Sequence, residues 1–158
     1  MPGVRVRPSP SITDVTNRWI LLGAMSEENV EIVRRAYVAL TRGDAELLRD
    51  LAPPDFTVDF SRRLVDPFVL RRDEMLVFFT GQSRETWEGW PTYEPKELID
   101  AGDFVVALIR TTARGKSSGV AVDALVWNVW TFRDGRPVEF KYFGEDRAAA
   151  LEAAGLEE

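Results

Sequence analysis

Residues 120–133, Val-Ala-Val-Asp-Ala-Leu-Val-Trp-Asn-Val-Trp-Thr-Phe-Arg, constrain the fold of this chain more than any other stretch. Read with the period of two that a strand imposes, the run is apolar on both faces. Val122, Val126, Trp130 and Phe132 fall on one face, and Leu125, Trp127 and Val129 on the other. Each face must be covered. Helices and a cavity are expected on one side, and a second subunit on the other, because an open patch of this size would stay wet.

The neighbouring segments supply the rest of a sheet. After Pro91, residues 93–99, 104–114 and 137–143 are also β-rich. The breaks between these runs are Asp100-Ala-Gly-Asp103, Gly115-Lys-Ser-Ser-Gly119 and Asp134-Gly135, lengths that suit hairpins. The first half of the chain is helical instead. Val30, Val33, Tyr37 and Leu40 recur at helical spacing behind Ser26, a good N-cap, and Gly43 closes that helix. Asp44 is expected to cap a second helix that Pro53-Pro54 stops, and Asp73 a third that carries Leu76, Phe79 and Trp87. A strand over Phe56–Phe60 lies between the second and third, and a short helix from Asp146 to Ala154 ends at Gly155. Helices followed by a meander of long strands predict an α+β domain with an antiparallel sheet.

Residues 1–24 read differently, with Pro2, Pro8 and Pro10 and only one short apolar run, Trp19–Leu22. They carry a net charge of +2, which leaves −8 for the remainder of a chain at −6 overall. The expected division is a tail over 1–24, dispensable to the fold, and one domain over 25–158. Trp19 leaves open a short element packed on the outside. Four apolar residues are too few for a signal peptide or a membrane span, so a cytoplasmic location without membrane contact is expected.

Composition narrows the chemistry. The chain has no histidine and no cysteine, which removes zinc sites of the usual kind, thiol chemistry and imidazole acid–base catalysis. No carboxylate cluster suggests Mg²⁺ or Ca²⁺, so neither a metal nor a cofactor is expected. A net charge of −6 argues against a nucleic-acid partner, which would require a basic face.

Five segments carry a family resemblance: Glu31–Asp44, Pro54–Ser61, Leu98–Val106, Val129–Gly135 and Ala150–Leu156. In this order they resemble the SnoaL-like branch of the nuclear-transport-factor-two-like superfamily. The resemblance implies a curved antiparallel sheet wrapped around N-terminal helices to form a cone with one pocket for a small apolar molecule, often in a homodimer. It implies either a cofactor-free isomerase, cyclase or dehydratase acting on an apolar carbonyl compound, in the manner of polyketide cyclases, or a non-catalytic ligand-binding or dimerisation module. Because fold does not fix function, the site has to be argued from its residues.

Asn128 resembles the position at which ketosteroid isomerases hold a protonated aspartate that donates to an oxyanion. An amide can donate there but cannot exchange a proton near neutral pH. The alternative is an Asn that only satisfies a core neighbour. Asp59 corresponds to the general base of those enzymes, provided the strand register turns it inward. A slip of one residue would put Phe60 there instead. Tyr37 is either an oxyanion holder or a core aromatic. Trp130 is expected as a pocket wall, and Trp87 and Trp90 either as a lid or as packing at the end of the third helix. Arg110 and Asp123 are read as a surface ion pair between strands.

Overall fold

The computed structural model describes residues 13–64, 66–79, 87–89 and 91–157. Among the described residues ten elements follow one another: α1 (Thr13–Arg42), α2 (Ala45–Leu51), β1 (Thr57–Asp59), β2 (Val69–Arg71), α3 (Arg72–Val77), β3 (Thr92–Ala101), β4 (Phe104–Arg114), β5 (Ala121–Arg133), β6 (Arg136–Gly144) and α4 (Arg147–Ala153). The strands form one sheet in the order β2-β1-β6-β5-β4-β3. All neighbours are antiparallel except β1 and β6, which run parallel. The α+β class and the wrapped sheet are as expected. The parallel pair is an addition, made because β1 joins the sheet from the helical half rather than by a hairpin.

Three register shifts bend the sheet, one in β3 between Pro95 and Glu97 and two between β5 and β6. An extra residue on one strand increases local twist, and repeated bulges curl a flat sheet into a cone. The β5–β6 connection is the tight turn expected from Asp134-Gly135, with φ of 52° and 74°, the left-handed pair that a type I′ hairpin requires.

Helix α1 begins earlier than its sequence signal. Ser26 is not its cap but a buried residue inside a continuous helix from Thr13. A capping residue ends a helix only where the preceding chain leaves it, and no proline lies between Thr13 and Arg42 to force that. The expected boundary at residue 25 therefore falls within α1, while residues 1–12 lie outside the described residues. At its other end α1 stops at Gly43 as expected: with φ 66° the chain turns, and the Asp44 N–H donates to Ala39 O at 2.9 Å. Asp44 then caps α2, accepting from the Leu47 N–H at 3.1 Å. Asp73 does not cap α3. Arg71 precedes the helix, and its N–H donates to the Glu74 carboxylate at 3.1 Å, so Asp73 lies within the first turn. Trp87 is not on this helix but bridges to Gly115 at the end of β4.

Two cores result. The inner one joins Val33, Ala36 and Tyr37 of α1 to Val105, Ala107, Ile109, Trp130 and Phe140 of the sheet. Thr41 ties helix to strand, donating to Tyr93 O and accepting from Tyr93 N. The outer core packs Ala150, Leu151, Ala154 and Leu156 onto Ile99, Val106, Trp127, Val129 and Phe143. Asp146 caps α4 by accepting from the Ala149 N–H at 3.0 Å, and Gly155 at φ 75° turns Leu156 back onto the helix.

This second core corrects one expectation. Trp127 and Val129 are covered by the chain's own C-terminal helix, not left for a second subunit. Of the three outward residues on β5 only Leu125 remains exposed, at 52%. Arg110 and Asp123 form the expected surface pair beside it, bidentate at 2.9 and 2.7 Å. Among the described residues no helix is long and apolar enough to cross a membrane.

Candidate binding site

The inner face of the sheet, α1 and the loop after β1 enclose a cavity of about 720 Å³. That volume lies in the range that takes a drug-sized molecule. Its wall is mostly aromatic. Phe60 is central: its ring centroid lies 4.9 Å from Phe68, 5.6 Å from Phe140 and 5.3 Å from Tyr142. Tyr93, Thr111, Val122, Ala124 and Val126 complete the sheet side, and Phe78, Phe79 and Trp87 stand across from it. A second void of about 30 Å³ lies behind Leu40, Phe79 and Phe140 and is lined by apolar side chains.

With Tyr37, Asn128 is the most deeply placed polar group in this wall. It is 4% exposed and sits on β5 opposite Ala107 and Tyr142. Its Nδ2 donates to the Tyr37 hydroxyl at 2.8 Å, and the Trp130 Nε1 donates to the same oxygen at 2.9 Å. The other amide atom, Oδ1, is buried without a hydrogen-bond partner. Tyr37, Asn128 and Trp130 are thus one unit around a single phenolic oxygen, as the helical stripe and the strand period placed them. Burial raises the Tyr37 pKa well above that of a free phenol, and the two donated hydrogen bonds offset this only in part. Tyr37 is therefore a neutral phenol, unable to serve as a base.

Trp130 is not a wall of the large cavity. It packs edge-on to Tyr37 and Phe140, with centroids at 5.6 and 5.2 Å, and faces the small void. The reason is its place two residues further along β5, opposite Val105 and Phe140, where the indole meets Tyr37 of α1. Trp87 does line the cavity; Trp90 lies outside the described residues.

Asp59 points the other way. Val58 of β1 is buried beside Phe140 in the inner core, and β1 pairs Val58 with Phe140 and Asp59 with Lys141. The period of two then sends Asp59 to the outer face, where it accepts from the Ser61 N–H at 2.8 Å and lies 3.9 Å from Lys141 Nζ. The expected base is thereby removed from the cavity, and Phe60 takes the inward place. The sequence reading also missed Arg63 and Asp66, the one cation and the one carboxylate among the described lining residues. They sit in the irregular 60–68 loop, where no periodicity indicates direction. Tyr93 and Tyr142 could have been found by extending the register from Asn128.

Two lining tyrosines make a pH prediction. Burial raises Tyr93 to about 12 and Tyr37 further, against 10.0 for a free phenol. Above pH 10 the unfolded chain loses these protons while the fold retains them, so stability falls as pH rises towards the folded values. Each tyrosine adds a slope of up to about 1.4 kcal/mol per pH unit in that window and nothing below it. Urea midpoints between about pH 8 and about pH 11 should be level and then drop, with a shallower drop in Tyr93→Phe. An unchanged slope in that variant would show that Tyr93 titrates freely.

The architecture has close counterparts. Bal32a from a soil-derived mobile gene cassette is 23% identical with a TM-score of 0.68, covering 77% of this chain and 92% of that one. IdmH from Streptomyces antibioticus, a proposed polyketide cyclase, is 18% identical at TM-score 0.61, with coverage of 80% and 96%. A Catenulispora acidiphila protein with a ketosteroid isomerase-like fold, solved in complex with trimethylamine, is 16% identical at TM-score 0.62, with coverage of 80% and 93%. At these identities the likeness is one of fold. No curated protein sequence matches significantly. Residues 33–140 match the SnoaL-like domain, more than half of the chain and a span that holds both Tyr37 and the Asn128 strand, and the chain therefore belongs to the SnoaL-like family.

Proposed function

We propose that this protein binds a mainly apolar small molecule through one hydrogen-bond-accepting oxygen, a carbonyl in the simplest case, with Asn128 as the donor. The observation that carries this reading is the half-satisfied amide of Asn128 deep in a mostly aromatic wall. With Nδ2 towards Tyr37, two donors meet one phenolic oxygen, and the phenol's own hydrogen is left without a use. Turning the amide over resolves both faults. Trp130 then donates to Tyr37, Tyr37 donates to Asn128 Oδ1, and the amide NH₂ takes the enclosed position now held by the oxygen, on a residue that lines the cavity, where a small side-chain turn brings it to a ligand. A ligand oxygen completes the set, since a buried donor left unpaired is costly.

Binding is favoured over catalysis because Asp59 faces outward. Isomerisation, cyclisation or dehydration would need a base in the cavity, and the carboxylate available among the described lining residues is Asp66, exposed at the rim. Titration with a propionyl-dimethylaminonaphthalene, a neutral fluorescent ketone, tests the reading. Bound probe should shift to the blue and be displaced by non-fluorescent aryl ketones, and no shift would overturn it. A chain starting at Met25 should bind equally well, because the tail contributes no lining residue among those described. A homodimer through the outer ends of β4 and β5, around Leu125, belongs to the same proposal. Light scattering at micromolar concentration should give twice the chain mass, and a monomer would show that α4 and the Arg110–Asp123 pair are cover enough.

A further inference from the structure

The loop between β1 and β2 carries two adjacent arginines with different surroundings. Arg62 turns outward, bonded to Asp146 at 3.1 Å and stacked over Phe143 at 4.9 Å. Arg63 turns to the cavity. Its guanidinium lies 5.3 Å above the Phe68 ring, and among the described residues it has no ion pair. Two other half-buried cations each lie near a carboxylate, Arg72 at 3.1 Å from Asp73 and Lys141 at 3.9 Å from Asp59. In a chain with 26 acidic and 20 basic side chains, a half-buried cation left without an acid stands out. Asp66, the other charge on the wall, is more exposed and makes no ion pair with Arg63. A guanidinium stacked on an aromatic face keeps its N–H edge free for a planar anion.

We infer that Arg63 selects ligands bearing an anionic group, so that the bound molecule is an amphipathic anion with its apolar body among Phe60, Phe68 and Tyr142 and its charge at the mouth. This rests on the cavity being a ligand site and adds the charge of the ligand to it. The turn that aims Arg63 is fixed by backbone bonds, Arg63 N–H to Phe60 O at 3.0 Å and Phe60 N–H to Phe68 O at 2.8 Å. The anion site is therefore largely formed before the ligand arrives, which lowers the ordering cost of binding.

Two fluorescent probes that differ by one sulfonate test it: anilinonaphthalene sulfonate and neutral N-phenylnaphthylamine. At low salt the sulfonate should bind about fivefold more tightly, the size of one half-exposed charge pair, and the gap should narrow at high salt. Arg63→Gln should bring the two probes to equal affinity, Arg63→Lys should keep most of the gap, and Arg62→Gln should leave it intact. A gap that is absent, that survives Arg63→Gln, or that vanishes equally in Arg62→Gln overturns the role of Arg63. If the neutral probe and the naphthyl ketone bind while the charge preference is missing, the ligand site stands and this inference falls. If none of the three enters, both fall together.

Discussion

Trp130→Ala should destabilise the fold by about 3–5 kcal/mol, the usual cost of emptying a large aromatic from a core. That is a large part of the stability of a domain this size and corresponds to a fall in melting temperature of about 10 °C or more. The expectation follows from its position beneath the cavity floor, not in its wall. The indole packs against Tyr37, Phe56 and Phe140 and gives its N–H to Tyr37. Removing it would join the small void to new empty space and take the indole donor from a buried phenol. Trp130→Phe retains most of the apolar area and loses only that donor, so it should cost about 1–2 kcal/mol. Thermal melts of the two variants measure both. An alanine variant that melts near the parent would show that the site collapses easily and that Trp130 is peripheral.

The contrast between Trp130 and Asn128 shows what was legible in the chain. Period-two alternation places both on one face of β5, and the helical stripe places Tyr37 above them. Register and face are properties of the backbone, so the sequence carries them directly. Which of two residues on one face reaches the cavity depends on what α1 places overhead, and that is a tertiary property. Asp59 failed for a related reason. Its alternation with Phe56, Val58 and Phe60 was plain in the sequence. The parallel pairing with β6, which joins Val58 to Phe140 and settles the inward face, was not. The same limit applies to the outer face. The apolar run Leu125, Trp127, Val129 correctly demanded cover, yet nothing local said that the cover would come from Leu151 and Leu156 rather than a partner. Arg63 and Asp66 were beyond reach altogether, since a nine-residue loop has no period to read.

Asn128→Leu should lower affinity for the naphthyl ketone by about 1–2 kcal/mol, roughly five- to thirtyfold, because the ligand oxygen loses its donor. Leucine branches at the same carbon as asparagine, and its bulkier methyl groups fall among Val126, Ala107 and Tyr142, so the cavity should be conserved in outline. The change also takes a partner from Tyr37, whose oxygen then retains only the Trp130 N–H. A stability loss of about 1 kcal/mol is expected from that, measured by urea midpoint at neutral pH, where Tyr37 stays protonated. Tyr37→Phe in the same background separates the two effects. With the phenol gone, Asn128→Leu should cost less stability than in the parent, since the two groups act on each other. The affinity loss should persist, because the ligand contact belongs to the amide. A naphthylamine without the carbonyl provides the control and should bind parent and Asn128→Leu alike. If the ketone too binds both equally, while Asn128→Leu still loses stability, then Asn128 serves Tyr37 alone and the carbonyl site proposed for it does not exist.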